Sequence, residues 1–275
     1  MRSSILLLMV MPALAFSQWL NYPAPGVPRT HNGKVNLSAR APRGRDGKPD
    51  LSGVWHAEVT PVAEFRKRYG DAIVDENIRV TGEGMGIGTI NIHAFDAFLE
   101  LDSSDKPMRP GVKPVPPLLN GSCLPVGFPM GILLTPVHKI IQTPGITLMM
   151  LEEGNFTRQI YADARPLPKD PQPSWFGYSI GRWQGDTFVV ETNGLNDRMP
   201  IDAVGHPRSE AMRITERYRR RDFGHMDVEV TFDDPTLYTH SVSIHFVDEL
   251  QPDTDILENF CAENEKDARH LNGGR

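Results

Sequence analysis

From residue 137 onward, short apolar runs alternate with tight turns, and this pattern restricts the fold more than any other feature. Thr143-Pro144-Gly145, Gly185-Asp186 and Asp222-Phe223-Gly224 each separate two runs of strand-like length and composition. The predicted strands begin near Gly53 and continue at 137–142, 146–151, 158–162, 178–183, 187–192, 212–220, 226–232 and 239–247. Because no long crossover separates them, the sequence predicts a mainly β protein with antiparallel pairing.

An antiparallel sheet of this size protects its edges by closing into a barrel or by packing as a sandwich. The triplet Gly53-Val54-Trp55 resembles the Gly-x-Trp opening of lipocalins and their calycin relatives. In those proteins the tryptophan plugs the closed end of the barrel. The resemblance implies a single up-and-down, calycin-like antiparallel β-barrel with Trp55 at its floor. An ordinary core position for Trp55 is the alternative.

The N-terminus has the pattern of a cleaved signal peptide at residues 1–15. Arg2 precedes the apolar run Ile5–Met11, and Ala13-Leu14-Ala15 fits the cleavage rule. The run is shorter than the roughly 20 residues that span a bilayer, although a short transmembrane anchor is the alternative. We therefore expect a periplasmic or secreted protein without a membrane span.

The remaining chain divides into two parts. Residues 16–48 predict an extended arm, and residues 49–275 predict one barrel domain. Glycine- and proline-rich loops are expected at 81–122 and 166–174. A short C-terminal helix is expected at 253–260, where Asp253 or Thr254 would cap it.

Charge and cysteine usage limit the partners and the compartment. Removal of Arg2 with the signal leaves 28 basic residues (29 − 1) against 35 acidic ones, a formal charge of −7. This balance gives no general attraction to nucleic acid or to anionic lipid. Cys123 and Cys261 predict a disulfide in an exported protein, with two buried thiols or a cysteine nucleophile as alternatives.

An arginine-rich stretch lies in the predicted strand 212–220 and just beyond it. Its members are Arg213, Arg217, Arg219, Arg220 and Arg221. Asp227 and Glu229 lie opposite in the predicted hairpin, so we expect a solvated outer face with weak ion pairs rather than a nucleic-acid site.

A broader resemblance covers roughly Cys123 to Asp267. The segments SWFGYSIGRWQGDTFVVET, at 174–192, and RRRDFGHMDVEVTFDDP, at 219–235, resemble a family of exported proteins abundant in acidobacteria and related soil bacteria. The resemblance implies bacterial export and one continuous domain. It implies no catalytic residues.

A cluster of polar side chains follows the predicted strand 187–192, where loops at a barrel mouth present functional groups. Its members include Asn196, Asp197, Arg198, His206 and Glu210. His206 is a candidate acid or base, since histidine titrates near neutral pH, and Asp197 or Glu210 could orient it. His225, in the next hairpin, is a further candidate. A loop stabilised by Asx turns and surface ion pairs is the alternative.

Aromatic residues could line a ligand pocket. Trp175, Trp183 and Tyr178 are candidate wall residues above Trp55, and Asn196, Asp197 and Arg198 are candidate rim residues. Core packing is the alternative for these aromatics. The chain has no metal-ligand spacing, dinucleotide fingerprint or phosphate loop, so no metal and no cofactor are predicted. The oligomeric state cannot be inferred.

Three functional hypotheses follow. The first is an exported barrel that binds a small apolar or aromatic molecule in a central pocket. The second is a cofactor-independent lyase, isomerase or hydrolase that uses a histidine–carboxylate pair at the barrel mouth. The third is an envelope scaffold without a ligand.

Overall fold

The protein forms a closed β-barrel of nine strands with almost no helix in the described ranges of the computed structural model. The structure describes residues 24–58, 63, 67, 108–113, 124–125, 127–133, 137–152, 154–201 and 205–258. The strands are β1 (Gly53–Ala57), β2 (Val137–Thr143), β3 (Ile146–Leu151), β4 (Thr157–Tyr161), β5 (Tyr178–Gln184), β6 (Thr187–Asn193), β7 (Arg213–Arg220), β8 (His225–Asp233) and β9 (Val242–Leu250).

Each strand pairs with its neighbour in sequence, and β1 pairs with β9 to complete the ring. The β2–β3, β5–β6 and β7–β8 turns lie at one end, which we call the closed end. The loops after β3, β6 and β8 lie at the other end, which we call the mouth. Gly185 turns the β5–β6 hairpin at φ 62°, a conformation that glycine adopts without strain. The predicted mainly β barrel is thus confirmed.

The prediction of purely antiparallel pairing is wrong, because β4 and β5 run parallel. Ile160 pairs with Ser179, and Tyr161 pairs with Ile180. The proline-rich segment between Tyr161 and Tyr178 carries the chain back from the closed end to the mouth without forming a helix. Two parallel strands must be joined by a crossover connection. This connection is usually an α-helix, but between β4 and β5 it is an extended loop.

Alternate residues of each strand face the interior. Met226, Val228, Val230 and Phe232 of β8 are buried, whereas the residues between them are partly exposed. On β7 the same alternation turns Ile214, Glu216, Tyr218 and Arg220 inward. Burial of each large apolar side chain contributes roughly 1.5–3 kcal/mol. The sheet therefore closes because each strand has one apolar face to bury.

The closed end is held by Arg220, which the sequence analysis placed on the solvated outer face. Arg220 is 4% exposed and donates to the backbone oxygens of Asp50, at 2.6 Å, and of Phe223. Its guanidinium carbon lies 4.8 Å from the centre of the Trp55 ring. Burial lowers the pKa of Arg220 to about 10. Two other arginines of this stretch form the predicted ion pairs on the outer face. Arg221 pairs with Asp227 at 2.8 Å, and Arg217 lies 3.8 Å from Glu229.

The mouth is covered by residues Gly127–Leu133, which we call the mouth plug. It contains the short helix Met130–Leu133, all of whose residues are buried. The guanidinium of Arg208 holds the plug, because it donates to the backbone oxygen of Phe128 and, at 2.6 Å, to that of Asn196. Burial lowers the pKa of Arg208 to about 10.

The predicted C-terminal helix is wrong over 253–258, which has no helical structure. Its residues, including the predicted cap Asp253, are used in tertiary contacts. Asp253 pairs with Arg29, and Asp255 pairs with Lys139, each at 2.7 Å. The amide of Leu257 donates to the carboxylate of Glu152 at 2.9 Å.

Several predictions fall on parts of the chain outside the described residues. These are the signal peptide 1–15, most of the loop 81–122 (81–107 and 114–122), Cys123 and Cys261 with their disulfide, and the end of the C-terminal helix. The division into arm and barrel at residue 49 stays a prediction. Within the described ranges, no helix has the length and apolar character needed to cross a bilayer.

Candidate functional site in the barrel interior

Polar side chains from several strands point into the apolar interior of the barrel. They include His138 on β2, Arg158 on β4, Ser179 on β5, Thr192 on β6, Glu216 and Tyr218 on β7, and Asp248 on β9. Each is at most 2% exposed. Charged groups are rarely this buried unless they are paired or serve a function.

Arg158 and Glu216 form a two-pronged ion pair across the interior. Nη1 of Arg158 donates to Oε1 of Glu216 at 2.9 Å, and Nη2 donates to Oε2 at 2.5 Å. The Tyr218 hydroxyl donates to the same carboxylate. The pair thus joins β4 to β7, which are not neighbours in the sheet.

Arg158 also donates to two buried hydroxyl groups. Nη2 donates to Thr192 at 2.8 Å, and both Nη2 and Nε donate to Ser179, at 3.0 and 3.2 Å. The ring of Phe128, from the mouth plug, lies 3.8 Å from the guanidinium carbon. A guanidinium covered and bonded in this way is a fixed part of the core rather than a free anion receptor.

The pKa shifts follow from this arrangement. Burial by itself lowers the pKa of Arg158, but the charge and hydrogen bonds of Glu216 outweigh burial and raise it overall. Burial raises the pKa of Tyr218 well above its usual value, and the charge of Glu216 raises it further while Arg158 opposes the shift. The phenol therefore keeps its proton and acts as a donor.

His138 and Asp248 form the second interior group. Nε2 of His138 lies 3.4 Å from Oδ2 of Asp248, and the two side chains are 3% and 1% exposed. Within the described ranges, none of their ring nitrogens or carboxylate oxygens has a well-formed hydrogen bond. β1 lies between their strands, where Ala57 is paired with Asp248 and Trp55 with His138.

The two interior groups are electrostatically connected. The Asp248 carboxylate contributes to the raised pKa of Tyr218, which in turn donates to Glu216. The barrel interior therefore holds an acceptor, a histidine and a protonated phenol, and the charge of Asp248 acts on that phenol. Such a set can bind a polar group of a ligand, and it can also supply general acid or base catalysis.

The predicted catalytic residues after β6 are at the mouth, but the structure separates them by exposure. His206 is 1% exposed, whereas Asp197 and Glu210 are exposed. The backbone oxygen of His206 accepts from the amide of Ile201 at 2.8 Å. The catalytic roles of these three residues stay predictions.

His225 is at the closed end, because it begins β8, and it is therefore far from His206. Its Nδ1 lies 2.8 Å from Oδ1 of Asp222, and its side chain is 25% exposed. The eight steps of β8 from His225 to Asp233 span roughly 26 Å at about 3.3 Å per residue. His225 does not share a site with the mouth residues.

The predicted ligand-binding residues are also distributed over the molecule. Trp55 is fully buried at the closed end, where its Nε1 donates to the backbone oxygen of Leu51 at 2.9 Å. Trp183 is at the closed-end rim of β5. Trp175 lies beside Arg198, whose guanidinium carbon is 5.0 Å from the Trp175 ring centre. Tyr178 stacks on Tyr161 with 5.1 Å between ring centres.

Asn196 is engaged in holding the mouth together. Its side-chain oxygen accepts from Nη2 of Arg208 at 3.0 Å and from the amide of Arg198 at 3.2 Å. The Arg198 side chain is exposed. The polar cluster after β6 thus includes contacts that stabilise its own loop, and the rim role of Asn196, Asp197 and Arg198 stays a prediction.

The interior residues were not among the predicted site residues, although the sequence carries a signal for them. On β9 the buried positions are Val242, Ile244, Phe246, Asp248 and Leu250, so one carboxylate interrupts an apolar face. Glu216 interrupts the apolar face of β7 in the same way. A charge on the buried face of a strand requires a partner and predicts an interior polar site.

No three His, Cys, Asp or Glu side chains converge as a metal site within the described ranges. Comparison of the chain with protein-family models, with curated proteins and with solved structures gave no match. The resemblance to exported acidobacterial proteins therefore stays a prediction.

Proposed function

We propose that this protein is an exported, calycin-like β-barrel that binds a small apolar or aromatic molecule in its interior. The ligand carries one hydroxyl or amide group, which bonds to His138 and Asp248. The signal-peptide pattern at residues 1–15 supports export to the periplasm or the medium. The position of Trp55 after Gly53, at the closed end, supports the calycin-like classification.

The observation that carries the proposal is the unsatisfied state of His138 and Asp248. An unsatisfied buried polar group costs about 1–3 kcal/mol, and more when it is charged. A hydroxyl group would reduce this cost, since it donates to one carboxylate oxygen and accepts from one imidazole nitrogen. The apolar interior, including Ile140, Ile244 and Phe246, would hold the rest of the molecule.

A ligand reaches this site when the mouth plug lifts. The polar atoms of His138 and Asp248 are sealed from solvent, so binding requires a displacement of side chains above them. The plug is attached through Phe128, which rests on Arg158 and is held by Arg208. These contacts are reversible, and we propose that they open for ligand exchange.

The test is untargeted mass spectrometry of molecules that co-purify with the natively exported protein. We expect a species that is present with wild type, depleted at least tenfold with Asp248→Asn, and retained with Glu249→Gln. Glu249 is the matched control, because it is adjacent on β9 and exposed. Equal amounts with both variants, or no specific species with wild type, would contradict the proposal.

A second candidate is a cofactor-independent acid/base enzyme, as a lyase, isomerase or hydrolase. The contact between His138 and Asp248 favours it, since a carboxylate can orient an imidazole that moves a proton. This interior pair would then act in place of the pair predicted around His206. The test is whether the protein converts the co-purifying species into a product. Loss of this turnover in His138→Gln, with an unchanged melting temperature, would favour catalysis over binding alone.

A further inference from the structure

A cleft lies at the closed end of the barrel, at the opposite end from the mouth plug. It has a volume of about 520 Å³, which is in the usual range for small-molecule sites. One wall comes from arm residues 44–50, and the other from residues 142–147 of the β2–β3 hairpin with Ala162 and Trp183. We call it the arm cleft.

Trp183 gives the arm cleft an aromatic wall. On β5 it follows Ser179 and Gly181 on the inward-facing side, so its indole is at the rim of the closed end. The Phe188 ring packs against it with 5.1 Å between ring centres at an angle of 48°. A side chain at Gly181 would collide with that Phe188 ring, so the glycine is needed for this packing. The indole is therefore held in place before a ligand arrives.

A buried hydroxyl also belongs to the cleft lining. Thr147 is 2% exposed, and within the described ranges its Oγ1 has no hydrogen-bond partner. Most buried side-chain polar atoms in proteins have a partner, so this hydroxyl indicates a missing polar group. Because this oxygen is sealed from solvent, a ligand hydroxyl or carbonyl could supply the group after a small displacement of side chains at the base of the cleft.

The arm wall is fixed to the barrel by contacts outside the cleft. Arg43 binds both oxygens of Asp186, at 3.0 and 2.5 Å, and Lys48 donates to the backbone oxygen of Gly185 at 3.1 Å. Within this wall, Arg43 and Pro49 form an antiparallel β-bridge. The two walls are thus preorganised, which reduces the entropy cost of binding.

We propose that the arm cleft is a second binding site, for a planar, uncharged aromatic molecule with one hydrogen-bonding group. The aromatic part stacks on Trp183, and the polar group bonds to Thr147. The lining carries one basic residue, Arg45, and two acidic ones, Asp46 and Asp50, so its formal charge of −1 (1 − 2) disfavours an anionic ligand. The site is separate from the interior pair of His138 and Asp248.

Binding of 1-naphthol, measured by calorimetry on the full exported chain, tests the proposal. We expect Trp183→Leu to weaken the Kd at least tenfold, Thr147→Val about threefold or more, and Trp183→Phe less than Trp183→Leu. Phe176→Leu is the matched control, since Phe176, like Trp183, is a partly buried aromatic residue that packs against the core, and it lies outside the cleft lining. It should change the Kd less than twofold.

Asp248→Asn separates this proposal from the interior site. The binding event that Trp183→Leu weakens should stay within twofold of wild type in Asp248→Asn, whether or not a second event, at the interior site, is observed. The arm-cleft proposal is overturned if wild type does not bind 1-naphthol up to its solubility limit. It is also overturned if folded Trp183→Leu and Thr147→Val both bind as wild type does, or if Asp248→Asn weakens binding as much as Trp183→Leu.

Discussion

The guanidinium carbon of Arg220 lies 4.8 Å from the centre of the Trp55 ring, and this contact joins the last residue of β7 to the first strand of the barrel. The same guanidinium bonds to backbone oxygens of the arm and of the β7–β8 turn. One side chain thus organises the whole closed end.

Replacement of Arg220 by leucine should therefore destabilise the protein strongly. The backbone oxygens of Asp50 and Phe223 would lose their donor, and an unsatisfied buried oxygen costs about 1–3 kcal/mol. We expect a loss of at least about 2 kcal/mol in the free energy of unfolding, measured by urea denaturation. Arg219→Leu, at the adjacent exposed position, should change it by less than about 0.5 kcal/mol. Similar losses for both variants would contradict the role of Arg220.

The ion pair between Arg158 and Glu216 should show strong coupling in a double-variant cycle. Removing one partner leaves an uncompensated buried charge, so Arg158→Met and Glu216→Gln should each cost about 3–5 kcal/mol. The double variant should cost much less than their sum, because neither charge then remains. Additive losses in urea denaturation would show that the pair does not behave as one unit.

The free energy of unfolding should decrease at alkaline pH because the pKa of Tyr218 is raised in the folded protein. Its folded pKa is raised above the unfolded value of 10, so above pH 10 the unfolded chain releases a proton that the folded protein keeps. The stability from this group is complete below pH 10 and decreases as pH rises, by about 1.4 kcal/mol per pH unit while the slope lasts. Tyr218→Phe should remove that slope and cost about 1–2 kcal/mol at pH 7 through the lost hydrogen bond.

Absorbance at 295 nm gives an independent measurement of Tyr218. In the folded state, wild type and Tyr218→Phe should show the same number of ionising tyrosines up to pH 11. In urea, wild type should show one more. An extra ionisation in folded wild type would mean that Tyr218 titrates normally.

The contact between Arg43 and Asp186 should be visible in an acid titration. The hydrogen bond and charge of Arg43 lower the pKa of Asp186 below its usual 3.8. The contribution of this pair is present above that value and is lost as pH falls through the lowered pKa. NMR titration of the Asp186 carboxyl should show the shift, and Arg43→Gln should reverse it. If the pKa of Asp186 is the same in Arg43→Gln as in wild type, Arg43 does not pair with Asp186 in solution.

The strand positions could be predicted because their signals are local. Alternation of apolar and polar residues and turn residues such as Gly185 lie within a few positions of each strand, and β2 to β6 begin and end within a residue of prediction. The pairing of β4 with β5 is not local. Nothing between Tyr161 and Tyr178 resembles a crossover helix, so the sequence did not indicate that the chain returns to the mouth.

The candidate site was harder to predict for the same reason. Glu216 and Asp248 can each be recognised as a polar residue on an apolar strand face, but Arg158 and His138, their contacts, are on other strands. The polar cluster after β6 attracted attention because its members are adjacent in sequence. Asn196 and Arg208, which follow β6, bond to each other, and Arg208 also bonds to the plug.

The two-residue pairing of β4 with β5 also determines how the barrel can open. Every other junction between neighbouring strands of the ring has more paired residues than this one. If this junction separates, the remaining pairings are unaffected, and the ring becomes one continuous sheet that runs from β5 through β9 and β1 to β4. The side wall beside Arg158 would then unroll, with the hairpins intact, and the amides of Ile160 and Ser179 would be among the first in the sheet to exchange with deuterated solvent.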